Sequence, residues 1–282
     1  MSSLREIKDR IASVKGTLKI TSAMKLVSSA KLRKAQNAIE NMHPYEALLR
    51  STLLKLPSSA GAGVSREDTK SGKVAVLVIS SNSSLCGGFN ANVEKLAKTC
   101  LERIVAEGSV PVVFAAGRKV AEYLKKSGYV PYKTLNQLCA EPKYGPCANL
   151  ADELLNGFVS GEYDRVELVY NHFAGMSSQK PVEETYLPFV VDTEERADEV
   201  EYIIEPNEND LIEELLPKVL KLKIFTVFLD SVAAEHAARM IAMQTATDNG
   251  DELLRELTLE YNKGRQQKIT TELLDIVGGQ QE

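Results

Sequence analysis

Soft metal ligands are scarce in this 282-residue chain, which has four cysteines and three histidines. Cys86, Cys100, Cys139 and Cys147 form no CxxC pair, and the histidines are scattered. Neither a zinc site nor a disulfide framework is therefore expected, and the cysteines read as reduced, partly buried thiols. Only Cys139 and Cys147, in the Pro/Gly-rich stretch LCAEPKYGPC, are close enough in sequence to suggest a redox pair. No apolar run approaches the ~20 residues that a membrane-spanning helix needs. The start MSSLREIKDR lacks an apolar signal core, and its acidic residues are unlike a transit peptide, so cytosol is the expected compartment.

Catalytic signatures are missing as well. SSNSSLCGGFN (80–90) follows the apolar run KVAVLVIS and precedes a helical pattern, the layout of a phosphate-binding loop. It has neither the lysine nor the spacing of GxxxxGK[ST], and Gly87–Gly88 has no third glycine to complete GxGxxG. The reading is a structural turn, with Asn90 as the N-cap of the next helix. There is no GxSxG and no HExxH. The carboxylate pairs Asp152–Glu153, Glu183–Glu184 and Glu213–Glu214 are adjacent in sequence, and helix or strand geometry points adjacent side chains apart. His236 and the methionines 24, 240 and 243 fall at helical spacing and read as packing residues. No cofactor, no metal and no catalytic residues are expected.

Charge is unevenly spread. The net charge is −5, but residues 1–40 carry nine Lys/Arg against three Asp/Glu, which leaves that segment at +6 and the remainder at −11. A basic helix on an acidic protein points to an acidic partner surface. A basic stripe without aromatics or a base-reading motif does not make a nucleic-acid binder.

Two long helical patterns flank a central segment. Leu4, Ile7, Ile11, Val14 and Leu18 alternate steps of three and four, the seam of a coiled coil. The frame continues through polar Thr21, Lys25 and Ser28, then returns to Leu32, Ala35, Ile39 and Met42. Over the polar gap Ile20, Met24 and Val27 supply a second, shifted apolar face. Pro44 marks a bend or a break, and Pro57 with SSAGAG ends the segment. The last segment keeps the same spacing from Leu215 to Tyr261, with Thr226, His236, Thr247 and Gly250 as its non-apolar positions and Pro217 as an expected kink. Each helix exposes an apolar stripe, and each is the other's nearest partner.

Between them, KVAVLVIS (73–80), VPVVFAAG (110–117) and YDRVELVYNHF (163–173) read as strands separated by helices. That alternation predicts a parallel sheet covered on both faces, with PVEETYLPFVV (181–191) and EYIIEP (201–206) as an antiparallel addition at one edge. The expected fold class is thus α/β: a long antiparallel coiled coil of N- and C-terminal helices plus a central Rossmann-like α/β domain. Expected domains are 1–57, 73–206 and 208–282.

RIASVKGTLKITSAMKLVSSAKLRKAQ (10–36), SLCGGFN (84–90), EHAARMIAMQTATDN (235–249) and YNKGRQQKITTELLDIVGG (261–279) resemble the gamma-subunit family of F-type ATP synthases. The likeness covers essentially the whole chain. It implies a central-stalk rotor subunit that couples rotation of a membrane ring to ATP synthesis or hydrolysis in a catalytic hexamer. The implied partners are the alpha and beta subunits, the epsilon subunit and the membrane rotor c-ring, with no nucleic acid and with the membrane reached only through partners. By motif, Met24, Lys25, Arg239, Arg265, Gln266 and Thr270 fall where the family meets its catalytic subunits, and Glu205 where it meets the ring. The polar trio Thr21, Lys25 and Ser28 suits a sliding surface, and Arg239, Arg265 and Lys268 are expected as partly exposed cations facing acidic loops. Gly264 departs from a usual alanine, which costs about 1 kcal/mol within a helix, and Ser84 stands where the family often has glycine. Without the plastid cysteine insertion or a transit peptide, the expected place is the cytoplasmic face of a bacterial inner membrane. Two other readings are a nucleotide-binding α/β enzyme, which would bind ATP or NAD alone, and a self-associating coiled-coil scaffold.

Overall fold

A computed structural model of the chain describes residues 4–54, 71–189 and 207–278. The elements run α1 (Leu4–Leu54), β1 (Lys73–Ile79), α2 (Phe89–Ala106), β2 (Val110–Ala116), α3 (Arg118–Lys126), β3 (Lys133–Thr134), α4 (Asn136–Ala140), α5 (Tyr144–Val159), β4 (Arg165–Gly175), β5 (Ser178–Leu187) and α6 (Glu208–Gly278). The chain divides into two compact units, Met1–Ser29 with Arg239–Glu282, and Ala30–Ala238.

The larger unit is built on one five-stranded sheet of order β3-β2-β1-β4-β5. β1 pairs in parallel with β2 and with β4, β2 with β3, and only β5 runs antiparallel, beside β4. The alternation along β1 explains why both faces are covered. Ala75, Leu77 and Ile79 enter one core, whereas Val74, Val76 and Val78 enter the other. A strand that is apolar on both sides must be shielded on both sides. α2 and α3 cover the second face with Val93, Ala97, Leu101, Ile104, Val120 and Leu124. α5 covers the first face with Leu150, Leu154 and Phe158, joined there by Leu53 of α1 and by Leu220, Ile224 and Phe228 of α6. The expected α/β arrangement is present, and the expected edge strand is β5. Residues 201–206 lie outside the described residues.

Several local expectations need correction. Pro44 does not break α1, which runs on through it, and Pro217 lies inside α6, where a kink and not an end was expected. Core packing holds α1 on both sides of Pro44, through Met42 and Leu49, and α6 around Pro217, through Leu216 and Leu220. That burial offsets a proline cost of about 3 kcal/mol. LCAEPKYGPC is not a turn throughout: Cys139 sits in α4 and Cys147 in α5, both buried. Pro146 is tolerated because it stands in the first turn of α5, where backbone N–H groups have no helical partner.

The smaller unit is the paired seam. Leu18 packs on Gly250, Leu4 packs on Gly264, and Thr247 donates a 2.9 Å hydrogen bond to Thr21. The partners descend on α1 as they ascend on α6, so the two helices run antiparallel. Thr21 and Ser28 are buried. Their hydroxyls donate to their own helix, at Leu18 O (3.1 Å) and Met24 O (2.8 Å), and this is how a polar residue can occupy a seam. These two residues belong to the helix pair and not to a sliding surface. The shifted face is outward instead: Ile20 and Val27 are exposed and Met24 is half-buried.

Candidate partner-contact site and the closed strand-end crevice

Open α/β sheets bind ligands beyond the carboxyl ends of their strands, where the strand order reverses. Here that place lies between β1 and β4, beside the turn 80–88. The polar groups of the turn bond back to the protein, although Asn171 Oδ1 on β4 is buried without a hydrogen-bond partner among the described residues. Ser80 Oγ accepts the Val120 N–H at 3.0 Å, Asn82 Oδ1 accepts the Arg118 N–H at 3.1 Å, and Ser81 O accepts the Lys119 N–H at 3.2 Å. The first N–H groups of α3, which could otherwise cradle a phosphate, are thereby filled. Gly117 makes the close approach possible: its φ is +107°, and a Cβ there would lie 2.5 Å from Ser80 O.

Asn90 does not cap α2. The cap is Gly88, without a side-chain bond. The Asn90 amide turns back, accepting from Ser81 N–H at 3.1 Å and from Ser81 Oγ at 2.9 Å. Bonds across the turn outcompete the local cap. Left-handed backbone falls on Leu85 (φ 66°) and Gly87 (φ 58°), not on Ser84. The crevice itself is packed with Cys86 and Phe89 against Ala234 and Ala238 of α6, with Phe173 alongside. Asp230 of α6 accepts the Phe173 N–H at 3.0 Å and lies 2.6 Å from His172 Nδ1. The turn therefore anchors a helix where a nucleotide would lie. Calorimetry with Mg-ATP on the pure chain should show no binding; micromolar binding lost on altering Gly87 or Gly88 would contradict this.

A second polar cluster ties α2 to the β4–β5 edge. Glu167, 2% exposed, accepts from Arg103 Nη2 at 2.9 Å and from the Cys100 thiol at 3.1 Å, and pairs with Arg165 Nε at 2.6 Å. Arg103 also pairs with Glu183, and Arg165 Nη2 with Glu107 at 2.8 Å. Cys100, Glu167 and Glu183 offer three donor atoms within 4.8 Å of one another, but Arg103 bonds both carboxylates. A buried carboxylate held by two guanidinium groups is a structural clasp. Its removal takes one buried carboxylate from each arginine and leaves Arg103 to Glu183 and Arg165 to Glu107, so Glu167→Ala should cost about 2 kcal/mol, read from denaturant unfolding.

All four cysteines are free and buried. Burial pushes the Cys147 thiol up to about 12, against a smaller opposing effect of a backbone hydrogen bond at Lys143. It also raises Cys139, with the Glu235 carboxylate adding to the shift. Thiolates are the reactive form. In the folded chain at pH 8 a thiol reagent should therefore modify none of the four, and all four in denaturant; rapid native modification would contradict the burial.

The residues placed by family resemblance do not form one cluster. Lys25 is half-buried beside Met24 on α1, while Arg265, Gln266 and Thr270 are exposed on α6. Thr270 Oγ1 donates to Gln266 O at 2.9 Å, one helical turn back. Arg239 is only 7% exposed and is not free, contrary to the expectation of a partly exposed cation. Glu205 lies outside the described residues. The sequence reading missed the terminal apolar stretch of α6. The described part of α1 begins at Leu4, opposite Gly264, and every residue from Arg265 to Leu274 is exposed. Ile269, Leu273 and Ile276 make a stripe there, with Leu274 66% exposed beside it. The signal was present in the four-then-three spacing of Ile269, Leu273 and Ile276, after the polar run NKGRQQK.

Among the described residues no helix is long and apolar enough to cross a membrane. A filled crevice, a mixed five-stranded sheet and two long paired terminal helices define an α/β protein of the coiled-coil stalk class. The comparisons agree with that class. A family model described as ATP synthase matches residues 3–281. The chain is 49% identical to the ATP synthase gamma chain of Bacteroides thetaiotaomicron over 99% of both chains, and 42% identical to that of Geobacter metallireducens over 99% of this chain and 98% of the relative. A chain in the Euglena gracilis mitochondrial ATP synthase structure of OSCP/F1/c-ring has a similar fold, with TM-score 0.69 and 20% identity over 98% of this chain and 93% of that one. The chain belongs to the ATP synthase gamma chain family.

Proposed function

We propose that this chain, a central-stalk rotor subunit of an F-type ATP synthase, transmits torque through surfaces that other subunits grip. The alpha and beta subunits of the catalytic hexamer would hold the smaller unit, with Met24, Lys25, Arg239, Arg265, Gln266 and Thr270 in or near the contact. The epsilon subunit and the c-ring would bind the larger unit, with Glu205 at the ring. The chain would then sit peripherally on the cytoplasmic face of the bacterial inner membrane, reaching it only through those partners. The ATP chemistry belongs to other chains, since the crevice that could bind a nucleotide here is packed with its own side chains.

The exposed stretch Arg265–Leu274 is the observation that carries this reading. An apolar helical stripe bordered by Arg265 and Lys268 fits a sleeve that is apolar with acidic loops. Purification of the tagged chain from its own cells, followed by mass identification of co-purifying chains, tests it. Stoichiometric alpha, beta and epsilon subunits are expected. A chain recovered alone as a homo-oligomer would favour the scaffold reading instead.

A further inference from the structure

We propose that Gly250 and Gly264 are register-determining seats for Leu18 and Leu4, which together with the Thr21–Thr247 hydrogen bond lock the two helices of the smaller unit into one alignment. A Cβ at Gly250 would lie 2.7 Å from Leu18 Cδ2 and 3.3 Å from its Cγ. At Gly264 it would lie 3.0 Å from Leu4 Cδ2. Leucine thus fills the space that a side chain would need, twice on the same pair of helices. The pegs are fourteen residues apart on α1, and the seats are fourteen apart on α6 in the reverse direction. Glycine weakens a helix interior, so two glycines at seam positions need a compensating contact. The seated leucines supply it.

The spacing also rejects wrong alignments. Every seventh residue of α6 along the seam reads Met243, Gly250, Leu257, Gly264, a large residue alternating with an empty seat. Met243 and Leu257 are 5% and 4% exposed, so they already fill the seam. A slip of one heptad, about 10 Å along the axis, would drive Leu18 onto Met243 or Leu257 and break the Thr21–Thr247 hydrogen bond. A slip of two heptads that brings Leu18 to Gly264 would refill Gly250 with Leu32, but it would set Lys25 against the buried Leu257 and break the Thr21–Thr247 hydrogen bond. A plain apolar seam offers no such discrimination, because heptads shifted by one repeat still match. The lock keeps one helix from creeping along the other under load, whatever grips them.

Pulsed electron paramagnetic resonance on the full chain tests this directly. Thr17→Cys and Asp251→Cys place nitroxide labels at exposed positions on the two helices, and the four native thiols are buried. The wild-type background should give one narrow distance. Filling both seats, with Gly250→Leu and Gly264→Leu, should broaden or displace that distance by up to about 10 Å, one heptad of rise. Exchanging one peg and seat, Leu18→Gly with Gly250→Leu, should restore the narrow distance and melt higher than either single change. An unchanged distance and melting midpoint with both seats filled would overturn the lock. So would a peg-and-seat exchange whose midpoint is only the sum of its two single effects, and that comparison decides the matter if the filled-seat chain does not fold.

Discussion

Arg239→Ala should lower the stability of the chain by about 3 kcal/mol, whereas Arg265→Ala should change it by no more than about 0.5 kcal/mol. Both arginines sit on α6 and both were placed at the partner contact by family resemblance, yet their surroundings differ. Arg239 is 7% exposed and engaged, close in sequence to the buried Glu235 and His236. Deleting a buried cation strands its partners and opens a space the size of its side chain. Arg265 stands in the open, where water screens its charge and truncation removes little packing. Denaturant unfolding of the two variants beside the parent separates the cases. Equal, small effects would return Arg239 to the class of exposed contacts, and equal, large effects would show that Arg265 is buried by something other than partners.

The second large effect concerns coupling rather than folding. Arg265 and Lys268 are three residues apart on one helical face, and both are exposed. If they push on acidic loops of surrounding subunits, the double change Arg265→Ala with Lys268→Ala should leave assembly intact. It should lower ions moved per ATP hydrolysed, or hydrolysis itself, by roughly threefold, the equivalent of about 0.7 kcal/mol of lost interaction. Reconstituted vesicles report both rates together. Normal rates in both would make these cations bystanders, and failure to assemble would make them structural.

Much of this fold was legible because periodicity carries it. Val74 to Ile79 are apolar without interruption, and such a strand has to be covered twice. The Leu4–Leu18 spacing announced a seam, and Gly87–Gly88 without a phosphate lysine announced a turn. What stayed hidden depends on contacts between distant segments. Asn90 looks like a cap until Ser81 competes for its amide. Gly264 looks like a defect until Leu4 is found in its place. Thr21 looks like part of a solvent-facing gap until Thr247 of the other helix is found bonded to it. Arg239 reads as one more surface cation, since charge on a helix is usually solvated and sequence cannot show what packs over it.

A central-stalk rotor must turn against the hexamer that surrounds it. The direct measurement fixes the catalytic hexamer to a surface and attaches a bead through Val130→Cys in the larger unit, a position 79% exposed in a chain whose own thiols are buried. With Mg-ATP supplied, the bead should rotate in one direction, and rotation should stop when hydrolysis is inhibited. A bead that stays fixed while the same complexes hydrolyse ATP at their normal rate would contradict the rotor assignment.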